Sequence, residues 1–407
     1  MNAIVLVVDR LHCGYAGAYG NSWIATPAID RMASEGFLFD QCLIDSPRLE
    51  TLYRSLWLGS HALMPPGPSE PDRGLGRLLA ARGVAATLLT DDPAIASHPV
   101  ADGFETVLSL PAPDRAGVVE TPDQTHLAGC FAQLIDRLES AAGPFCVWCH
   151  LKGLAAPWDA PLEFRRAYME EGDPEPPTSA DVPDRMIPSD CDPDELLGIS
   201  QAYAGQVTLL DTCLGALLEF LQTSPHRDDT ALVLLSARGF PLGEHGRLGG
   251  CDEALYNELV HVPLVLRFPD GFGAAGRSSN LIRPGDLWAT LLDLWGGPVE
   301  APPFDVHSLM PLVREQAEGF RDRLGIAGSG SERAIATAFW HLRMPEAGPD
   351  ELYVRPDDRW QVNDVANRCA DVVEKLREAF AYFSQAIQSG QSAQLPKLDE
   401  VLVFPPE

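Results

Sequence analysis

Three short apolar runs constrain the fold of this chain more than any other feature. They are residues 3–8 (AIVLVV), 144–151 (PFCVWCHL) and 231–236 (ALVLLS). None alternates polar with apolar residues, so a strand made from any of them needs cover on both faces. That is the condition of a parallel strand inside a layered α/β sheet. Helical patterns lie between the runs. Residues 26–36 (TPAIDRMASEG) pair a cap-like threonine and a proline with an apolar rhythm of three to four and a closing glycine. Residues 198–222 read as a long amphipathic helix. Strands alternating with helices predict a mostly parallel central sheet with helices on both faces.

The 407 residues suffice for one large domain and a small one. Residues 170–195, rich in proline and acid, predict an irregular excursion, and the Gly/Ser patch at 325–334 a boundary. The expected division is 1–324, then a small α+β subdomain at 325–407 with an antiparallel sheet and a tail helix. The 58 acidic and 30 basic residues give a formal charge of -28, which argues against nucleic acid and anionic membrane surfaces as partners. No run of 18 apolar residues occurs, and the first apolar run is too short for a secretory signal, so the expected location is the cytoplasm. Nine cysteines without C-x-x-C spacing suggest free thiols in a reducing compartment.

The opening NAIVLVVDRLHCGYAGAYGNSWIATPAIDRMASEGF resembles the start of the sulfatases, members of the alkaline-phosphatase superfamily. In that family a strand delivers two aspartates, followed by L-G-C-Y-G and T-P-N-L-D-R-L-A-x-E-G. QAYAGQVTLLDTCLGALLEFL, LGEHGRLGG, LYNELVHVPLVLRFP, PGDLWATLLDLWGGP and DELYVRPDDRWQVND are similar to later family blocks, in order and across nearly the whole chain. The resemblance implies a sulfatase-like α/β fold. It also implies a chemistry: a formylglycine nucleophile from C-x-P-S-R, a divalent cation on acidic side chains, and lysine, histidine and arginine holding the anion.

The positions that should carry this chemistry read otherwise. Aligned on Ser46-Pro47 and Ser55-Leu56, the nucleophile falls at Leu49, the motif's proline at Thr51 and its arginine at Tyr53. Of the paired metal-binding aspartates Asp9 remains, with Arg10 beside it. The second pair, D-H-G or D-N-G in the family, is Ala237-Arg238. The lysine and histidine of G-K-W-H-L-G fall at Asp91 and Pro93, and the histidine of P-H-x-P at Ala155. Lys152 is the only lysine in the first 374 residues, so two active-site lysines have no place in the large domain.

The expectation is therefore a degenerate site with no catalytic residue, no metal and no cofactor. Arg10, Arg238 or both would stand where the cation stood and pair with Asp9, Arg10 being the first candidate. An unpartnered buried Asp9 would cost several kcal/mol, roughly, so some replacement is required. The acids Asp91, Asp92 and Asp252 would favour a cationic or neutral ligand over a sulfated one. His12, His61 and His150 lie near the hollow and could form a new site, although nothing in their spacing demands one; His245, in a Gly-flanked loop, is expected to be structural, and Trp57, Trp158 and Tyr256 read as core.

Two function classes follow. One is a pseudo-sulfatase that binds a protein partner or small ligand, as a homo-oligomer or paired with an active homologue. The other is a divergent sulfuric- or phosphoric-ester hydrolase using Thr51 or a rebuilt calcium or magnesium site.

Overall fold

The computed structural model describes residues 1–67, 71–113, 117–251, 253–299, 302–316, 320–389 and 395–404. Asp252 lies outside them. In chain order the strands are β1 (Asn2–Val8), β2 (Phe37–Cys42), β3 (Ala85–Thr90), β4 (Thr106–Ser109), β5 (Phe145–Leu151), β6 (Arg185–Met186), β7 (Thr230–Ser236), β8 (Arg247–Leu248), β9 (Leu264–Arg267) and β10 (Gly276–Ile282). Four more, β11 (Leu324–Ala327), β12 (Arg333–Ala336), β13 (Trp340–Met344) and β14 (Glu351–Val354), follow towards the C-terminus. The longer helices are α1 (Pro27–Ser34), α2 (Leu49–Leu58), α3 (His126–Glu139), α4 (Pro193–Thr223), α5 (Asp286–Leu294) and α6 (Ala370–Ser389).

Eight strands form one sheet in the order β10-β2-β9-β7-β1-β5-β3-β4. Every neighbouring pair is parallel except the two made by β9. The three apolar runs supply its centre, β7-β1-β5, and every residue of these three strands is buried. Alternation along β1 explains why a run with no polar residue is stable there. Ala3, Val5 and Val7 enter one core layer with α2, α5 and the inner face of the C-terminal sheet. Ile4, Leu6 and Val8 enter the other with α1, α3 and α4.

Helix α4 is long and apolar enough to cross a membrane by length and composition, yet its sides pack on α1 and α3 in the second layer. Its Asp211 reaches the start of α1, where the two carboxylate oxygens accept the Ala28 and Ile29 amides at 3.0 and 2.8 Å. Thr26, read as the cap, instead accepts from the Gly17 amide and donates to Asp30. Burial lifts the Asp211 carboxyl to about 6, against the pull of those amides.

The acidic excursion is more regular than its composition suggests. Its last residues are the first turn of α4, capped by Asp192, and β6 pairs antiparallel with β8. The Gly/Ser patch is split between β11, a turn and the start of β12. β11 to β14 form an antiparallel sheet in sequential order, and α6 lies against it through Phe383, Leu376 and Val372. All nine cysteines are free, six of them buried.

Candidate functional site

The parallel strands β1, β7, β5 and β3 end on one edge of the sheet, the edge at which open α/β sheets place their ligands. Asp9 follows β1, and its amide bonds the Leu151 carbonyl at 2.9 Å. Arg238 follows β7 and closes on Asp9 as a fork: Nε lies 3.1 Å from Oδ1 and Nη2 2.5 Å from Oδ2. Its third nitrogen lies 3.6 Å from Glu253 and donates to the Pro47 carbonyl at 3.4 Å. The Asp9 side chain is 1% exposed and that of Arg238 13%. Burial alone would raise the Asp9 carboxyl and lower the Arg238 guanidinium. The pairing outweighs it on both sides, holding Asp9 below and Arg238 above their ordinary values.

Arg10 does not take part, which corrects the first expectation. Its backbone is left-handed (φ 66°), and this turn carries the side chain to the Gly239 carbonyl at 3.2 Å. There it is covered by Gly250 and the acidic excursion: a Cβ on Gly250 would lie 3.0 Å from Arg10 Nη2 and 3.9 Å from Asp184 Oδ1. Burial and the neighbouring Arg238 lower its guanidinium to about 10.

Helix α2 brings up the nucleophile block. Leu49 and Thr51 are half-buried in its first turn, while Tyr53 is fully buried. The Tyr53 hydroxyl meets His150 Nδ1, near the end of β5, at 2.5 Å. Burial lowers His150, so the neutral ring accepts from Tyr53 and carries its proton on Nε2, which has no hydrogen-bond partner among the described residues. Asp91 follows β3 and is bonded elsewhere than to the Asp9 pair: Oδ1 accepts the Lys152 amide at 2.7 Å and Oδ2 faces His126 Nε2 at 2.7 Å. Asp92 caps the short helix opened by the exposed Pro93, and Ala155 lies in a turn after β5. Asp91 and Asp92 thus carry local bonds of their own, which corrects the expectation of free acids lining a ligand hollow.

The sequence model of the family described as "Sulfatase" matches residues 1–297. This chain belongs to the sulfatase family. Human iduronate 2-sulfatase is 23% identical over 427 aligned residues, covering 86% of this chain and 73% of that protein. An N-acetylglucosamine-6-O-sulfatase of Bacteroides thetaiotaomicron is 33% identical over 118 residues, 28% of this chain and 20% of its own length. Among solved structures, a phosphonate monoester hydrolase of Agrobacterium radiobacter superposes with a TM-score of 0.75 at 18% identity, covering 95% of each chain.

Against sulfatase chemistry the donor set at the strand ends can be tested directly. Calcium or magnesium needs about six or more oxygen ligands. Both Asp9 oxygens are bonded to Arg238, Ala237 offers a methyl group, and Glu253 is drawn to the same guanidinium. The described residues at these strand ends do not fit a hard divalent cation. Leu49, at the aligned nucleophile position, has neither a thiol nor a hydroxyl.

The remaining sequence candidates have structural roles. His12 Nδ1 accepts the Gly14 amide, and the His61 ring packs edge-on to Phe383. His245 bonds Glu258 at 2.8 Å and the Gln361 carbonyl at 2.9 Å, joining the large domain to the C-terminal segment. Trp57 and Trp158 are core, and Tyr256 stacks on His245. The sequence reading missed the Tyr53–His150 pair, and also the meeting of His126 and Cys130 with Asp91. His126 and Cys130 stand four apart at the start of an amphipathic helix, the one local signal available.

Proposed function

We propose that this sulfatase-family protein does not hydrolyse sulfate esters by the family's metal-assisted route, and that it acts as a binding protein for a protein partner or small ligand. The observation that carries the reading is the Asp9–Arg238 fork, which occupies both oxygens of the acid that would hold the cation. A fixed guanidinium neutralises the buried acid, but it has no open coordination position for an ester oxygen or an activated nucleophile. Arg10, covered by the acidic excursion, adds a second positive charge beside it.

The test is elemental analysis of protein purified without chelator, thermal melts in calcium and magnesium, and turnover assays on aryl sulfates and phosphodiesters. The expected outcome is no stoichiometric calcium or magnesium, no rise in Tm with either ion, and no turnover. One equivalent of either ion with a Tm rise abolished by Asp9→Asn would overturn the reading. So would turnover that Thr51→Ala removes.

A further inference from the structure

We infer that Asp91, His126 and Cys130 form a zinc-type metal site whose open coordination position faces a separate cavity on the far side of β3 and β5 from the Asp9–Arg238 pair. The three donor atoms converge. His126 Nε2 lies 2.7 Å from Asp91 Oδ2 and 3.5 Å from Cys130 Sγ, and Sγ lies 4.0 Å from the same Oδ2. All three fall within 4.8 Å of one another. Bonds of about 2.3 Å to sulfur and about 2.0–2.1 Å to nitrogen and oxygen, at tetrahedral angles, put donors about 3.3–3.5 Å apart. The observed separations bracket that value, and small side-chain movements would seat an ion.

The way the groups meet excludes a nucleophilic triad. In a triad the orienting acid and the thiol sit on opposite ring nitrogens of the histidine. Here acid and thiol approach the same nitrogen, Nε2. One carboxylate and one thiolate would neutralise a dication, and a sulfur, nitrogen and oxygen set suits zinc better than calcium or magnesium.

Asp91 is held from behind, as metal ligands are, and the other two donors are placed by the start of α3. The Lys152 amide fixes Asp91 through Oδ1 and leaves Oδ2 to the cluster. His126 opens α3, and its amide donates to Asp159 Oδ2 at 2.7 Å. Cys130 follows one helical turn later, on the same face. A cavity of about 430 Å³ opens beside the cluster, lined by His126, Cys130, Thr125, Gln133, Pro157 and Asp159. The Asp159 side chain is buried, and its second oxygen, Oδ1, has no hydrogen-bond partner among the described residues. Three protein donors, a fourth position facing a cavity and an unpartnered acceptor beside it are the parts of a site that holds a metal-bound water or a ligand in its place.

The test uses the full chain, kept reduced and free of chelator, titrated with cobalt(II) and then zinc. The expected result is one equivalent of cobalt giving a thiolate-to-cobalt charge-transfer band in the near ultraviolet, displaced by equimolar zinc. Cys130→Ser, nearly isosteric, loses that band while far-ultraviolet circular dichroism stays native. Asp91→Asn, which keeps an acceptor for the Lys152 amide, weakens cobalt binding at least ten-fold, on the order of the effect of removing a ligand's support. Absence of the band from the wild type would overturn the inference, as would its persistence in Cys130→Ser. The readout is independent of the proposed lack of sulfatase turnover, so either conclusion can fail without the other.

Discussion

A carboxylate at the end of a buried strand must be neutralised by something, and the identity of that partner decides what the surrounding residues can do. At Asp9 the partner is Arg238, in a fork that is almost fully buried. Replacing Arg238 by methionine keeps the volume and removes the charge. The expected loss is about 3–5 kcal/mol at neutral pH, because Asp9 is left charged and unpaired. Adding Asp9→Asn should recover much of it.

The pH dependence has a definite sign. Asp9 is held below its ordinary value, so the pair's contribution is complete above the unfolded carboxyl value of about 3.9 and is lost as pH falls through the lower folded value. Denaturant unfolding of wild type, single and double variants at neutral and acid pH measures this. A neutral-pH loss under about 1 kcal/mol, the range of exposed pairs, would mean that the fork contributes little. Asp9 and Arg238 could be singled out in the sequence because both follow apolar runs that fix their place on the sheet edge. Tyr53 and His150 are 97 residues apart, and no local pattern announces that a helix and a strand end will bring them together. Arg10 was misjudged because nothing in VVDRLH shows that the backbone turns left-handed there.

Elements were legible in proportion to their burial. β1, β5 and β7 stand out because both faces are covered, whereas β4 buries neither face fully, and β9 runs against its neighbours for reasons of topology alone. The docking of the C-terminal segment on the large domain depends on side chains that composition does not reveal. His245 is one of them. Its Nδ1 faces the Glu258 carboxylate and its Nε2 the Gln361 carbonyl, so both nitrogens donate and the ring is an imidazolium. Burial opposes that charge, but the hydrogen bond to Glu258 outweighs it and the histidine titrates above its ordinary value.

A raised histidine contributes stability that is complete below the unfolded value of about 6.5 and is lost as pH rises through the folded value. His245→Gln should therefore be more destabilised relative to wild type at about pH 5.5, below the unfolded value, than at about pH 8.5, above it. Urea melts of both proteins at the two pH values decide it. A gap that widens towards alkaline pH would show that the ring is neutral in the folded protein.

At the scale of the whole molecule, charge is sorted by depth. The chain carries 58 acids against 30 basic residues, yet several arginines are buried in ion pairs. Arg283 and Arg321 engage Asp45, Asp286 and Asp305, and Arg343 engages Glu332 and Glu351. Those cations are buried together with the acids that pair them, so the chain's negative excess stays at the outer surface, and like charges there repel more strongly in the folded state than in the expanded chain. Added sodium chloride shortens the reach of that repulsion from about 10 Å at 0.1 M to about 3 Å at 1 M, while buried pairs are screened much less. Tm should rise with salt in wild type, and the gap between wild type and Arg238→Met should stay nearly constant over the same titration. Thermal melts of both proteins across that range separate the two effects. A wild-type Tm that falls with salt would mean that surface pairs outweigh surface repulsion. A gap that closes with salt would mean that the Asp9–Arg238 fork is open to solvent, against the burial from which its strength was argued.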